Sequence, residues 1–191
     1  MLSKEIDRLY LLIGRVATEF SSIETIWYLI FTTLIHQIPR PAVDAIFHQI
    51  RTGHQQRQMI VAVADATLSK DSPALLSIKE LAVKTRIVAE RRNNALHSAV
   101  YITEAGIPPR IVAMGVSKRS PLADKNIAEE IADLYRTAAH LALDMHALRF
   151  QMINSVDPKS NLEIDLAKID AERLSLINRL KTDPAMIPTY E

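Results

Sequence analysis

The sequence predicts an all-α protein, a four- to five-helix up-down bundle with a small β-hairpin after the third helix. Three observations carry that expectation. Apolar residues recur at alternating steps of three and four over long stretches, which is the spacing of one helix face. Only four glycines occur in 191 residues, so turns are few and helices long. Strand-like alternation is confined to Ala99-Val-Tyr-Ile-Thr103 and the answering Arg110-Ile-Val-Ala-Met114. The bundle is expected over 1–153, with the hairpin at 99–115. Residues 154–191 read as a linker, a C-terminal helix and a frayed tail.

The first helix carries Ile6, Leu9, Ile13, Val16, Phe20, Ile23, Trp27, Ile30 and Leu34 in one heptad-like seam. Ser21 and Glu24 have capping-box spacing, but the seam keeps its phase across them, so one long helix is expected. It should end near Gln37, because Pro39 and Pro41 stop it. A second helical region is expected from Pro41 to Leu68, bent at Gly53, with Ile46, Ile50, Ile60, Ala64 and Leu68 facing inward. Ser72 and Pro73 read as the N-cap and first position of a third helix running to His97. Its seam is Ile78, Leu81, Thr85 and Val88, and the next step lands on Arg92. After the hairpin, closed at Gly106-Ile-Pro-Pro109, a fourth helix has the seam Ile127, Ile131, Leu134, Ala138, Leu141, Met145, Leu148 and Met152. A last helix is expected over about 162–180.

Composition narrows the chemistry. With no cysteine there is no disulfide, zinc-thiolate site or thiol nucleophile. The charged start Met1–Arg8 lacks a signal-like apolar core, and the longest apolar-rich run, Ile26–Ile35, is far short of the roughly 20 residues of a membrane span. A cytoplasmic protein with no membrane partner is expected. Net charge is +1, but residues 84–119 carry +5 and the rest −4, a local basic zone on a near-neutral body. Walker A, dinucleotide-glycine and Gly-x-Ser-x-Gly patterns are absent. His140 and Asp144 have a metal-pair spacing without a third ligand, so neither a metal nor another cofactor is expected.

The candidate site is Ala89-Glu-Arg-Arg-Asn-Asn-Ala-Leu-His-Ser98, where a helix hands over to the hairpin. Arg92 breaks an apolar seam, so it must lie at the bundle's end, in a pocket or at a partner surface. Asn93 and His97 are four apart and share a helix face, which lets the amide orient the imidazole. A guanidinium grips a phosphate with two charge-assisted bonds, and an imidazole titrating near neutrality moves protons. Together they suit phosphoryl transfer within RNA. Arg91, Ser98 and Tyr101 are the candidate substrate contacts, and Glu24, polar in an apolar helix, is the candidate supporting residue, either buried partner or site participant. The same residues are also ordinary last-turn residues that cap carbonyls.

Arg92-Asn-Asn-Ala-Leu-His97 resembles the signature of the HEPN superfamily, helical bundles with an arginine, a polar residue, three others and a histidine at a helix end. Phe20-Ser-Ser-Ile-Glu24 resembles the aromatic-to-glutamate pattern of many family first helices. The architectural resemblance covers about 3–152, the specific motif six residues, and Ser98 stands where many relatives carry glycine. It implies a metal-independent endoribonuclease cutting RNA by 2′-hydroxyl attack, of the kind found in toxin–antitoxin and defence systems. Arg92 would contact phosphate, His97 would be the acid/base and Asn93 the orienting residue. The implied partners are RNA, a second copy forming a homodimer, and an antitoxin or regulatory protein. The alternative it implies is a non-catalytic module that binds nucleotide, RNA or a protein.

Overall fold

The computed structural model describes residues 2–97, 99–102, 111–114 and 127–156, and single positions between 171 and 182. The expected hairpin loop, the linker from residue 157 on, and most of the expected C-terminal helix and tail lie outside the described residues, as do Ser98, Arg110, Lys118 and Arg119. Residues 154–156, expected in the linker, continue the last described helix instead.

Among the described residues the protein is all-α in class, with five helices. They are α1 (Leu2–Leu34), α2 (Arg40–Gln49), α3 (Gly53–Thr67), α4 (Pro73–His97) and α5 (Ile127–Val156). Two four-residue strands, β1 (Ala99–Ile102) and β2 (Ile111–Met114), pair antiparallel between α4 and α5. None of the described helices is long and apolar enough to cross a membrane.

The chain divides into two compact units. One holds Met1–Phe20, Ile87–Ala139 and Leu174–Glu191, the other Ser21–Arg86 and His140–Arg173. In the first, Leu9, Leu12, Val16 and Phe20 of α1, Val88 and Ala95 of α4, and Ile127, Ile131, Leu134 and Ala138 of α5 are buried. In the second, the core holds Ile23, Trp27, Ile30 and Phe31 with Val43, Phe47, Ile60, Leu75, Ile78, Leu81, Met145 and Leu148. The seams expected for α4 and α5 are therefore the faces that leave water, and hydrophobic burial is what makes such long helices stable. Helix α1 passes through Ser21 without a break. It stops at Leu34, three residues before Gln37, where Thr32 and Thr33 donate their hydroxyls to the Leu29 carbonyl.

The second helical region differs from expectation. It is not one bent helix but two, separated by extended backbone at Ile50 and Thr52. Thr52 is the N-cap of α3, its hydroxyl oxygen accepting from the Gln55 N–H at 3.3 Å. Gln56 turns back to donate to the carbonyls of Ile50 (2.9 Å) and Phe47 (3.4 Å), closing the end of α2. The break shifts the helical phase, so Ile46, expected inside, is exposed, and Val43 and Phe47 are buried instead.

A polar staple fixes α2 to the second half of α1. The Tyr28 hydroxyl donates to Asp44, Arg40 Nε donates to the same carboxylate at 3.1 Å, and the Arg40 guanidinium lies 4.7 Å over the Tyr28 ring. The bond from Tyr28, with further help from Arg40, holds the Asp44 carboxyl below its ordinary value against the opposing effect of burial. A carboxyl depressed in the folded state contributes stability above its unfolded value of about 3.9, lost as pH falls through the folded value. Thermal melts between about pH 5 and pH 2 should therefore fall more steeply for wild type than for Asp44→Asn, with parallel curves refuting the staple.

Candidate functional site

The first unit carries the residues singled out in the sequence at the C-terminal end of α4. Arg92 occupies the next turn of the seam after Val88, with Ala95 buried just beyond, so its stem lies along the core while its head is half-buried. Its guanidinium carbon sits 4.8 Å over the Phe20 ring. Such a cation–π contact contributes about 0.5–2 kcal/mol and also keeps the planar group in one orientation. Arg92 Nη1 donates to the Asn93 side-chain oxygen at 3.3 Å, while the buried Nε has no acceptor among the described residues. No carboxylate pairs with Arg92 among the described residues. The head is thus held from one face and one edge, with donor capacity left over.

Arg91, the adjacent cation, is committed elsewhere. Its Nη2 reaches Asp133 at 2.8 Å and Glu130 at 3.3 Å, both on α5. Burial lowers the affinity of Arg91 for its proton, but the hydrogen bond and charge of Asp133, then those of Glu130, outweigh this and raise it. Lys84 is likewise paired, with Glu80 at 2.7 Å. The +5 tally of the sequence zone therefore overstates the field there: Lys84 and Arg91 are both neutralised by carboxylates within reach.

Asn93 is exposed and serves Arg92 rather than a more distant group through its oxygen. His97 is the last residue of α4, and its side chain lies outside the described residues, as does all of Ser98. Tyr101 is on β1, in register opposite Val112 of β2. Glu24 belongs to the second unit and is exposed, not a buried partner. The cation it acts on is Arg57 of α3. The structure thus joins Arg92 to Asn93 and seats Arg92 on Phe20, with Arg91 turned towards α5.

Sequence reasoning did not find Glu130 and Asp133 as the partners of Arg91, although an acidic first turn on the following helix was the available signal. Nor did it find Arg57, which lies three residues before Ile60 and seven before Ala64 on the buried face of α3. An open depression on the first unit, lined by Tyr10, Leu11, Gly14, Arg15 and Tyr135 among others, includes none of the residues singled out. Among the described residues no cluster of three histidine or carboxylate side chains could hold a metal ion.

Fold and site together define an all-α protein with an aromatic-seated arginine and its amide partner at a helix end. No family model, curated protein or solved structure matches the chain.

Proposed function

We propose that this protein is an HEPN-like endoribonuclease that acts on RNA as a homodimer, without a metal ion. The observation that carries the reading is Arg92: a guanidinium stacked on Phe20, held by Asn93, and left with donors that no carboxylate among the described residues takes. Such a group is oriented before substrate arrives, and preorganised donors are what stabilise developing negative charge on a phosphate. His97 follows on the same helix end and supplies the proton transfer.

In the reaction the RNA 2′-hydroxyl attacks the adjacent phosphorus and loses its proton to a histidine. The 5′-oxygen leaves with a proton from the second copy's histidine, giving a 2′,3′-cyclic phosphate and a 5′-hydroxyl end. Arg92 holds the non-bridging oxygens. In this reading Tyr101 and Ser98 contact the RNA. The protein works in the cytoplasm, and an antitoxin or regulatory protein restrains it.

The neutralisation of Arg91 by Glu130 and Asp133 favours one alternative, a module that binds RNA or nucleotide without cutting it, since the positive surface is smaller than the sequence implied. A single assay separates the two. Purified protein with EDTA and mixed RNA substrates should yield cyclic-phosphate ends, and His97→Ala should reduce the rate by about 100-fold or more. Binding with no product from the folded wild type would select the module. Equal cleavage by wild type and variant would end the nuclease reading.

A further inference from the structure

The second unit contains an arginine that the Arg92 site does not use. Arg57, on the buried face of α3, is only 7% exposed. Among the described residues its guanidinium makes no hydrogen bond and no ion pair. A cation taken from water in this way is costly unless something compensates it. Glu24 is the carboxylate whose charge acts on it, yet the two do not close into a salt bridge. Both side chains converge on the space above Gly53. A Cβ built there would lie 3.1 Å from Arg57 Nη1 and 3.2 Å from Glu24 Oε1. The gap between cation and carboxylate therefore opens onto the first residue of α3.

That residue starts a 15-residue helix whose N-terminal N–H groups are only partly satisfied. Gln55 N–H donates to the Thr52 hydroxyl and Gln56 N–H to the Thr52 carbonyl. The N–H groups of Gly53 and His54 have no intrahelical partner, as at any helix start, and no other acceptor among the described residues. The arginine side chain leans back towards the N-terminus, as helical side chains do, which brings its head alongside Gly53 in the first turn. Arg51, exposed, adds positive charge at the same end, next to the exposed His54. Three features thus meet: two open backbone donors, a nearly buried arginine whose guanidinium has no protein partner among the described residues, and a glycine that leaves room for a close approach.

We infer that the start of α3 is a phosphate-binding site, formed by the Gly53 and His54 N–H groups and the Arg57 guanidinium, with Glu24 as the group an incoming phosphate displaces. Helix N-termini suit phosphate because their N–H groups and dipole both favour an anion, and a guanidinium adds a two-pronged grip. Glu24 now supplies the negative charge from the side. Being exposed, it can swing into water when a better acceptor arrives. The absent side chain at Gly53 provides space for the anion, and the assignment stands apart from the ribonuclease reading.

The test follows the Gly53 and His54 amides by NMR in the full isotope-labelled chain. Inorganic phosphate and adenosine monophosphate are titrated separately, with ionic strength held by sodium chloride. Saturating shifts of both amides with both probes identify a site for phosphate itself; shifts with the nucleotide alone identify one that needs the nucleoside as well. Glu24→Gln removes a like charge beside the anion and should tighten binding by about tenfold. Gly53→Ala puts a methyl group against Arg57 Nη1 and should weaken it by at least about tenfold while Trp27 fluorescence reports an intact fold. The inference is overturned if neither probe moves either amide in wild type and in Glu24→Gln. It is equally overturned if Glu24→Gln weakens binding, or if Gly53→Ala binds as wild type does.

Discussion

Trp27→Ala is expected to remove about 3–5 kcal/mol of stability, the cost of deleting a large aromatic side chain from a packed interior. The indole is 2% exposed, surrounded by the apolar residues of the second unit. It is also anchored: Nε1 donates to the Thr85 hydroxyl at 3.1 Å, and that hydroxyl donates to the Leu81 carbonyl at 2.8 Å. Since a domain of ordinary stability has about 5–15 kcal/mol in total, the loss is a third or more of what is available. Denaturant unfolding followed by circular dichroism measures it, and a loss under about 1 kcal/mol would mean that the indole is not in the core. Thr85→Val separates packing from hydrogen bonding. It keeps the volume but leaves a buried indole N–H unsatisfied, at about 1–3 kcal/mol. Because Trp27 is the only tryptophan, its fluorescence reports that environment alone.

The Thr85 position shows what a seam does and does not disclose. Ile78, Leu81 and Val88 mark the buried face of α4, and a threonine in phase with them is read correctly as inside. Its partner is not legible, because Trp27 is on another helix and contacts between helices leave no spacing in the sequence. The same holds for the site. Arg92 stands out because it interrupts an apolar register, yet Phe20 as its platform and the α5 carboxylates as partners of Arg91 follow only from packing. Helices α1, α4 and α5 were legible because burial imposes a long, regular pattern on each. The boundary between α2 and α3 was not, although Thr52-Gly-His-Gln55 has capping-box spacing. Gly53 drew attention as a bend, whereas its neighbour Thr52 starts a new helix and its own missing side chain makes room for Arg57 and Glu24. Local capping chemistry outweighed the continuing apolar pattern there.

If the protein is the ribonuclease proposed above, Arg92→Lys should slow RNA cleavage by about 100-fold, comparable to removing one donor from an oxyanion site, with the fold retained. Lysine keeps the charge but loses what the geometry of Arg92 provides. An ammonium cannot lie flat on the Phe20 ring, and it presents a point charge in place of a planar fork. If charge alone mattered, as in loose electrostatic attraction of RNA, Lys would restore most of the activity and only alanine would be damaging. Phe20→Leu provides the complementary measurement. It keeps an apolar group under the arginine but removes the ring face, so the guanidinium loses its fixed plane while its charge and the Asn93 bond remain. If Arg92 acts in the transition state, both variants lower kcat more than they raise KM. A rise in KM alone would make Arg92 a docking cation, and unchanged kinetics in Arg92→Lys and Arg92→Ala would remove the arginine from the reaction altogether.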